Sequence, residues 1–439
     1  MRLAVVGGGS TYTPELIDGF ARLRDTLPVR ELVLIDPAED RLELVAGLAR
    51  RIFAKQGHEA TVTATSDLDA GIEGADAVLL QLRVGGQAAR QRDETWPLEC
   101  DCVGQETTGA GGLAKALRTV PVVLDIAERV RRTNPDAWII DFTNPVGIVT
   151  RALLRAGHKA VGLCNMAITL QRKFAKLLDV APAEIHLDHV GLNHLTWELG
   201  VRLGGPGGVD VLPRLLEEHA DGFALELRMP RQVLETLGVF PSYYLRYYYA
   251  HDETVRELHT KPSRAEEVAA MERELLEMYG DPALQEKPAL LGRRGGAYYS
   301  EAAVALAAAL LGTADADEPS AGRALGEGRT GGAPNVQVVN LRNDGTLPFL
   351  PDDAVIEAPA EVGPQGLVPL AAPAVDPLQA GLITHVSAYE DLALDAALHG
   401  GRERVFKALL AHPLIGQYDL ADGLTDRLLA HNREHLAWA

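Results

Sequence analysis

Cysteine is nearly missing from this chain: three thiols stand in 439 residues, Cys100 and Cys102 close together and Cys164 far from both. So sparse and odd a set excludes a disulfide framework and suits a reducing compartment. Long apolar runs are absent too; none approaches the roughly 20 residues that a membrane span requires. The apolar stretch 3–6 runs straight into glycines rather than into the long apolar core of a secretory leader. A cytoplasmic protein is therefore expected. Basic residues are in deficit, 42 Lys and Arg against 61 Asp and Glu, for a formal charge of −19. That excludes nucleic acid or an anionic membrane as the main partner, since either needs a basic face. An anionic small substrate would need a local arginine pocket against that field. Aromatics make up only 5%. What is plentiful is apolar material, 47%, enough for two intimately packed domains in a chain too long for one core.

Apolar runs at 3–6, 31–35, 77–82, 138–141 and 159–163 read as buried parallel strands, and amphipathic segments at 14–27, 41–56, 113–132 and 146–156 read as helices between them. Asp36-Pro37 and Asn134-Pro135 punctuate the series. The alternation predicts an α/β fold with a Rossmann-type doubly wound parallel sheet. Beyond residue 166 the texture changes. A strand pair over 185–201 runs into the turn Gly204-Gly205-Pro206-Gly207-Gly208. Helices follow at 263–279, 298–311, 378–394 and 402–410, with short strands at 336–340 and 354–358 flanking Asn343-Asp344-Gly345. The expected division is 1–165 for dinucleotide binding and 166–439 for a mixed, largely helical α+β domain that holds substrate, metal and the oligomer interface. Segment 313–334, rich in Gly, Ala and acidic residues, reads as a mobile loop. There is no internal repeat.

Gly7-Gly8-Gly9-Ser10-Thr11 follows a strand and precedes a helix, the context in which backbone amides approach a pyrophosphate where no Cβ intervenes. Tyr12 occupies the place of the fingerprint's third glycine. Asp36 ends the next strand at the distance where a carboxylate accepts from both ribose hydroxyls of NAD and repels the 2′-phosphate of NADP. The plainer alternative is a tight strand-to-helix turn with Asp36 capping the next helix. Thr143-Asn144-Pro145 follows a strand as well: a cis bond there would turn Asn144 toward the strand ends, whereas a proline in a helix's first turn needs no such role.

Cys164 lies at the carboxyl end of a sheet strand, the edge where open α/β sheets place ligands, and His194 follows in Gly191-Leu192-Asn193-His194. Each has a structural reading, a buried thiol and a core imidazole in an alternating strand. Together they can hold a divalent metal and leave positions open for substrate oxygens. Cys100 and Cys102 have no histidine or third cysteine nearby and read as structural. In so aromatic-poor a chain, Tyr243-Tyr244-Leu245-Arg246-Tyr247-Tyr248-Tyr249 stands out; a tyrosine stripe packs, but a phenol beside a metal and a cation can also act as a base.

These residues resemble glycoside hydrolase family 4, in its 6-phospho-β-glucosidase branch. The similarity runs through Gly7-Gly8-Gly9-Ser10, Arg83-Val84-Gly85-Gly86, Gly104-Gln105-Glu106-Thr107-Thr108-Gly109, Thr143-Asn144-Pro145, Gly162-Leu163-Cys164-Asn165, Gly191-Leu192-Asn193-His194 and Arg294-Gly295-Gly296-Ala297-Tyr298-Tyr299-Ser300. It continues at Val339-Asn340-Leu341-Arg342-Asn343 and Leu350-Pro351-Asp352-Asp353. The resemblance implies a lactate/malate dehydrogenase-like architecture and an elimination–addition route unlike the two-carboxylate scheme of most glycosidases. NAD+ takes hydride from C3, the ketone makes the C2 hydrogen acidic, and a metal on the C2 and C3 oxygens stabilises the enediolate while a base removes the C2 proton. The C1 substituent leaves, water adds, and the retained NADH returns its hydride.

By matching position, the resemblance makes Cys164 and His194 the metal ligands and Tyr244 the base, with Tyr243 as rival. Arg83, Asn144, Asn165 and Arg294 become the groups around the sugar and its 6-phosphate, and Gly7, Gly9, Ser10, Thr11 and Asp36 hold NAD. Asn165 cannot donate a proton as the aspartate of α-specific relatives can, which favours a β-linked phosphoglucoside. Glu106 is a candidate leaving-group acid, with a structural role the alternative. A thiolate ligand favours zinc or iron by softness, yet the resemblance implies Mn2+, with Co2+ or Ni2+ as substitutes, and a homodimer or homotetramer. Two other readings compete: an NAD-dependent 2-hydroxyacid dehydrogenase, which would release NADH stoichiometrically, and a non-catalytic NAD sensor.

Overall fold

Val5, Leu34, Leu79 and Ile140 have no exposure to solvent, as strands covered on both faces require. In a computed structural model, which describes residues 1–296, 298–313 and 335–438, they belong to β1 (Arg2–Val6), β2 (Glu31–Ile35), β4 (Ala77–Leu80) and β5 (Trp138–Asp141). With β3 (Thr61–Thr65) and β6 (Ala160–Gly162) these strands pair in parallel in the order 3-2-1-4-5-6. This is the dinucleotide-binding order of a doubly wound sheet, and the predicted fold class holds. The apolar-run criterion does not pick out β3, because an edge strand buries one side chain, Val62, among alternating threonines.

The crossovers are α1 (Thr13–Arg22), α2 (Glu39–Lys55), α3 (Leu68–Ile72), α4 (Gly86–Thr95), α5 (Gly109–Thr133) and α6 (Val146–Arg155), and α7 (Met166–Leu178) leaves the sheet after β6. α1 stops at Arg22, short of the predicted end at residue 27, because the amides of Thr26 and Leu27 fold back onto the Leu23 carbonyl.

The later strands form a hairpin and a sheet extension. β7 (Ile185–Leu192) and β8 (Leu195–Leu203) pair antiparallel, with the short β9 (Val209–Asp210) and β10 (Phe240–Pro241) on β8. β11 (Val336–Arg342) joins the parallel sheet antiparallel to β6, Asn340 opposite Gly162, and β12 (Val355–Gly363) and β13 (Gly366–Pro369) bring it to nine strands. The chain beyond residue 166 therefore lays an edge onto the first sheet. Leu192 pairs with Leu195, so Asn193-His194 is a two-residue turn and His194, expected inside an alternating strand, sits at its tip. Its φ is +62°. Two-residue hairpins demand such angles and usually take them from Gly or Asn, so a histidine there marks a functional position. The expected loop 313–334 lies, but for Thr313, outside the described residues. Among the described residues no helix is long and apolar enough to cross a membrane.

Close helix packing is set by glycine where α1 crosses the helix Tyr299–Leu310: a Cβ on Gly19 would overlap the Ser300 side chain. Gly19→Val should lower the unfolding free energy by about 1–3 kcal/mol through overpacking, read by urea denaturation.

Candidate active site

The turn after β1 leaves no room for side chains. Gly7 has φ +84°, and Cβ atoms on Gly7, Gly8 and Gly9 would lie 2.8 Å from the Gln81 carbonyl oxygen, 2.8 Å from Leu34 Cβ and 2.9 Å from Asp36 Cγ. Asp36 Oδ2 accepts from the Gly9 amide at 3.1 Å and its Oδ1 from the Ala38 amide at 3.0 Å, so the carboxylate ties the turn to the start of α2. The Ser10 amide donates to the Gly7 carbonyl, and Ser10 Oγ accepts from the Tyr12 amide at 3.2 Å. Thr11 is buried, and its hydroxyl donates to Glu272 at 3.1 Å. Tyr12, in place of the third glycine, donates to the Gly296 carbonyl at 2.5 Å.

Cys164 follows β6 directly. Burial, then the Glu357 charge, push its thiol up, against the Met166 amide, the Asn193 side chain and the Asn165 amide, which favour the thiolate. Asn165 caps α7 beside it. His194 Nδ1 meets Thr107 Oγ1 at 2.9 Å, which leaves Nε2 as the nitrogen a cation could use. Burial pulls the imidazole down to about 4, so it is neutral at ordinary pH, as a ligand must be. The Tyr244 ring stacks on it at 3.7 Å and 8°. Burial, then Cys164, holds the Tyr244 phenol well above its ordinary value, with Arg90 alone among its named neighbours opposing. The protein's own charges thus hold it as a phenol. The Tyr243 hydroxyl instead accepts from Arg246 at 2.6 Å.

The arginine pocket that a −19 chain needs is present. Arg83, Arg90 and Lys115 converge on Glu106, and Arg294 and Arg41 converge on Glu272, at 2.7 and 3.4 Å. Burial raises the Glu106 carboxyl, but Arg83, Arg90 and Lys115 outweigh it and hold the group well below the usual range. Glu106 is therefore held as a clamped carboxylate, which favours its structural role over that of leaving-group acid. Burial, then Arg83, pushes Lys115 down to about 7. Arg294 is lowered by burial and feels Arg83, Arg41 and Arg90, and its Nε has no partner among the described residues. Asn144 is joined to Pro145 by a cis bond, and its Oδ1 is likewise buried without a partner among the described residues. Burial raises the Cys102 thiol to about 12.

Behind the metal-ligand pair lies a buried group that sequence reasoning passes over. His189 Nδ1 meets Glu198 at 2.8 Å, His189 Nε2 meets Glu357 at 3.2 Å, and Glu357 also accepts from Asn193 at 2.8 Å and Asn340 at 3.1 Å. Burial opposes protonation of His189, but Glu198 and then Glu357 push it up to about 10. The available signal was weak: His189 and Glu198 stand in strands that also carry His186, Asp188 and Arg202. Among the described residues no cluster of three or more His, Cys, Asp and Glu side chains could hold a metal, so a cation on Cys164 and His194 keeps positions open for substrate.

Comparison with known proteins decides the family. The model of family 4 glycosyl hydrolases matches residues 2–180, and that of their C-terminal domain matches residues 189–415. A 6-phospho-beta-glucosidase of Escherichia coli (strain K12) is 33% identical over 99% of this chain and 96% of its own. This chain belongs to family 4 of the glycosyl hydrolases. The structure of a family 4 relative, the 6-phospho-beta glucosidase of Thermotoga maritima with manganese, NAD+ and glucose-6-phosphate, superposes with a TM-score of 0.86 at 31% identity, over 99% of each chain. Malate dehydrogenase of Salinibacter ruber, with a TM-score of 0.51 at 16% identity over 92% of this chain and 99% of its own, shares the fold alone. The dehydrogenase-like architecture is thereby established for this family 4 chain.

His189 gives the family 4 site a pH signature. Its folded pKa is raised, so the stability it contributes is complete below about pH 6.5 and lost as pH rises toward 10. The stability gap between wild type and His189→Gln should be widest at pH 6 and narrow by on the order of a few kcal/mol by pH 10, measured by urea unfolding across that range.

Proposed function

We propose that this chain is a cytoplasmic 6-phospho-β-glucosidase that works with NAD+ and Mn2+. The observation that carries the reading is that Tyr244 neighbours both Cys164, after a sheet strand end, and His194, at a hairpin tip, its ring stacked on the imidazole at 3.7 Å, with Arg294 reaching the Glu272 that Thr11 of the dinucleotide turn also meets. The residues fit the two groups. A soft and a neutral ligand stand together, the glycine turn would be filled by any Cβ, and the buried Asn144 Oδ1 lacks a partner among the described residues. When bound, the dinucleotide supplies the oxidant for C3 of the sugar, and the divalent cation supplies the charge that stabilises an anion over the C2 and C3 oxygens.

Cys164 and His194 hold the cation. Gly7, Gly9, Ser10 and Thr11 face the dinucleotide's phosphates, and Asp36, whose carboxylate has acceptor capacity beyond the two amides it already serves, takes the ribose hydroxyls. Arg83 and Arg294 take the 6-phosphate through charge-assisted bonds, Asn144 Oδ1 accepts from a sugar hydroxyl, and Tyr244 Oη removes the proton at C2. Asn165, with no proton to donate, lies beside the cation and suits a β-linked leaving group. Glu106 supports the reading from the other side, since a carboxylate held ionised among three cations has no proton to give a leaving group. In this division residues 1–165 carry the dinucleotide, and 166–439 carry His194, Tyr244, Arg294 and the contacts of a homodimer or homotetramer.

The test is hydrolysis of a chromogenic β-glucoside 6-phosphate with and without NAD+, Mn2+ and thiol. Turnover should need all three and leave no net NADH. Full activity without dinucleotide and metal would overturn the proposal, and stoichiometric NADH would mark a dehydrogenase instead. Tyr244→Phe should cost about 10²–10⁴-fold in kcat, the usual worth of a general base, and should abolish exchange of the C2 hydrogen with solvent deuterium.

A further inference from the structure

Glu357, on β12, belongs to none of the groups that meet substrate or cofactor, yet it is built into the site by the chemistry of its partners. Three donors converge on its two oxygens: Asn193 and Asn340 on Oε2, and His189 on Oε1. His189 is fixed from its far side by Glu198. Glu198, His189, Asn340 and Glu357 are at most 2% exposed, so water does not compete for these bonds and each must be made by the protein. A site receiving three donors calls for a group that only accepts, which a carboxylate is and a glutamine is not. The amide of Asn193 has two hydrogens. It donates to Glu357, and the same side chain is near enough to the Cys164 sulfur to favour its thiolate. Asn193 also precedes His194 in the hairpin tip, while Asn340 pairs with Gly162, two residues before Cys164.

We propose that Glu357 is a positioning residue for the metal centre: by holding the Asn193 amide it aims a hydrogen bond at the Cys164 sulfur and sets the spacing between that sulfur and the His194 tip. The inference rests on the metal-dependent reading above. Outer partners that orient metal ligands are worth about 10–100-fold in metal affinity. A neutral amide at this position would set its own N–H groups against one of the three donors.

The experiment is Mn2+ binding to the NAD-loaded protein without substrate, followed by the electron paramagnetic resonance of free Mn2+, for wild type, Glu357→Gln, Cys164→Ser and the double variant. Glu357→Gln should bind Mn2+ about 10–100-fold more weakly and NAD unchanged. In the Cys164→Ser background the same substitution should cost less than about two-fold, because the sulfur it aims is gone. Unchanged Mn2+ affinity in Glu357→Gln, or an equal loss in both backgrounds, overturns the proposal. Should Glu357→Gln fail to bind NAD through misfolding, Asn193→Leu cuts the link while leaving the Glu357–His189–Glu198 group intact; it should show the same loss of Mn2+ affinity, and wild-type affinity in it overturns the proposal. In the Co2+-loaded protein the thiolate-to-metal charge-transfer band should weaken in the same variants. A wild type that takes up no Mn2+ brings down the metal-dependent reading itself, and the role of Glu357 with it; Mn2+ uptake equal in wild type and both variants brings down the latter alone.

Discussion

The molecule is organised around the problem of bringing a thiol from one sheet to an imidazole on another. Cys164 ends β6 of the parallel sheet, and His194 crowns the β7–β8 hairpin, which belongs to a separate sheet. What holds the hairpin in place is a buried run of charge, Glu198 to His189 to Glu357, that crosses from β8 and β7 to β12 of the first sheet. Buried charges are costly unless each is paired and hydrogen-bonded. Here each named carboxylate meets His189, and Glu357 also satisfies two amides, so the arrangement holds as a unit in one register.

The same logic of compensated charge shapes the substrate side. An acidic chain concentrates Arg41, Arg83, Arg90, Lys115 and Arg294 around Glu106 and Glu272. The carboxylates keep the cations from repelling one another apart, and burial, joined by the neighbouring cations, still lowers the proton affinity of Lys115 and Arg294. An anion entering such a pocket gains bonds from groups already desolvated and aimed. Glu106 is spent in this scaffold, held as a carboxylate by three cations.

Much of this was legible from residue order alone. Buried runs alternating with helical segments predict the sheet because a strand covered on both faces must be apolar throughout, and five of the six parallel strands follow that rule. The sixth, β3, does not, since an edge strand buries one face at one residue. The glycine turn, Asp36, the Asn144-Pro145 step, Cys164, His194 and Tyr244 were visible as types at telling positions. The roles of Glu357, His189, Glu198, Lys115 and Glu272 were not, because a charged residue inside an apolar strand or helix has a meaning only through a partner that may be anywhere in the chain: Glu357 is 168 positions from His189, and Glu272 is 261 from Thr11.

By itself, the order of amino acids determined local matters: where strands and helices form, which turn has no room for a Cβ, and which few thiols, imidazoles and phenols exist to do chemistry. Tertiary structure alone decided which of them meet. It put His194 at a left-handed hairpin tip instead of inside a strand, laid Tyr244 rather than Tyr243 against it, and set Glu106 among three cations. The physical reason is that covalent neighbours set backbone preference, whereas ionisation, ligation and hydrogen bonding depend on distance through space, and that distance is fixed only when the two sheets close on each other.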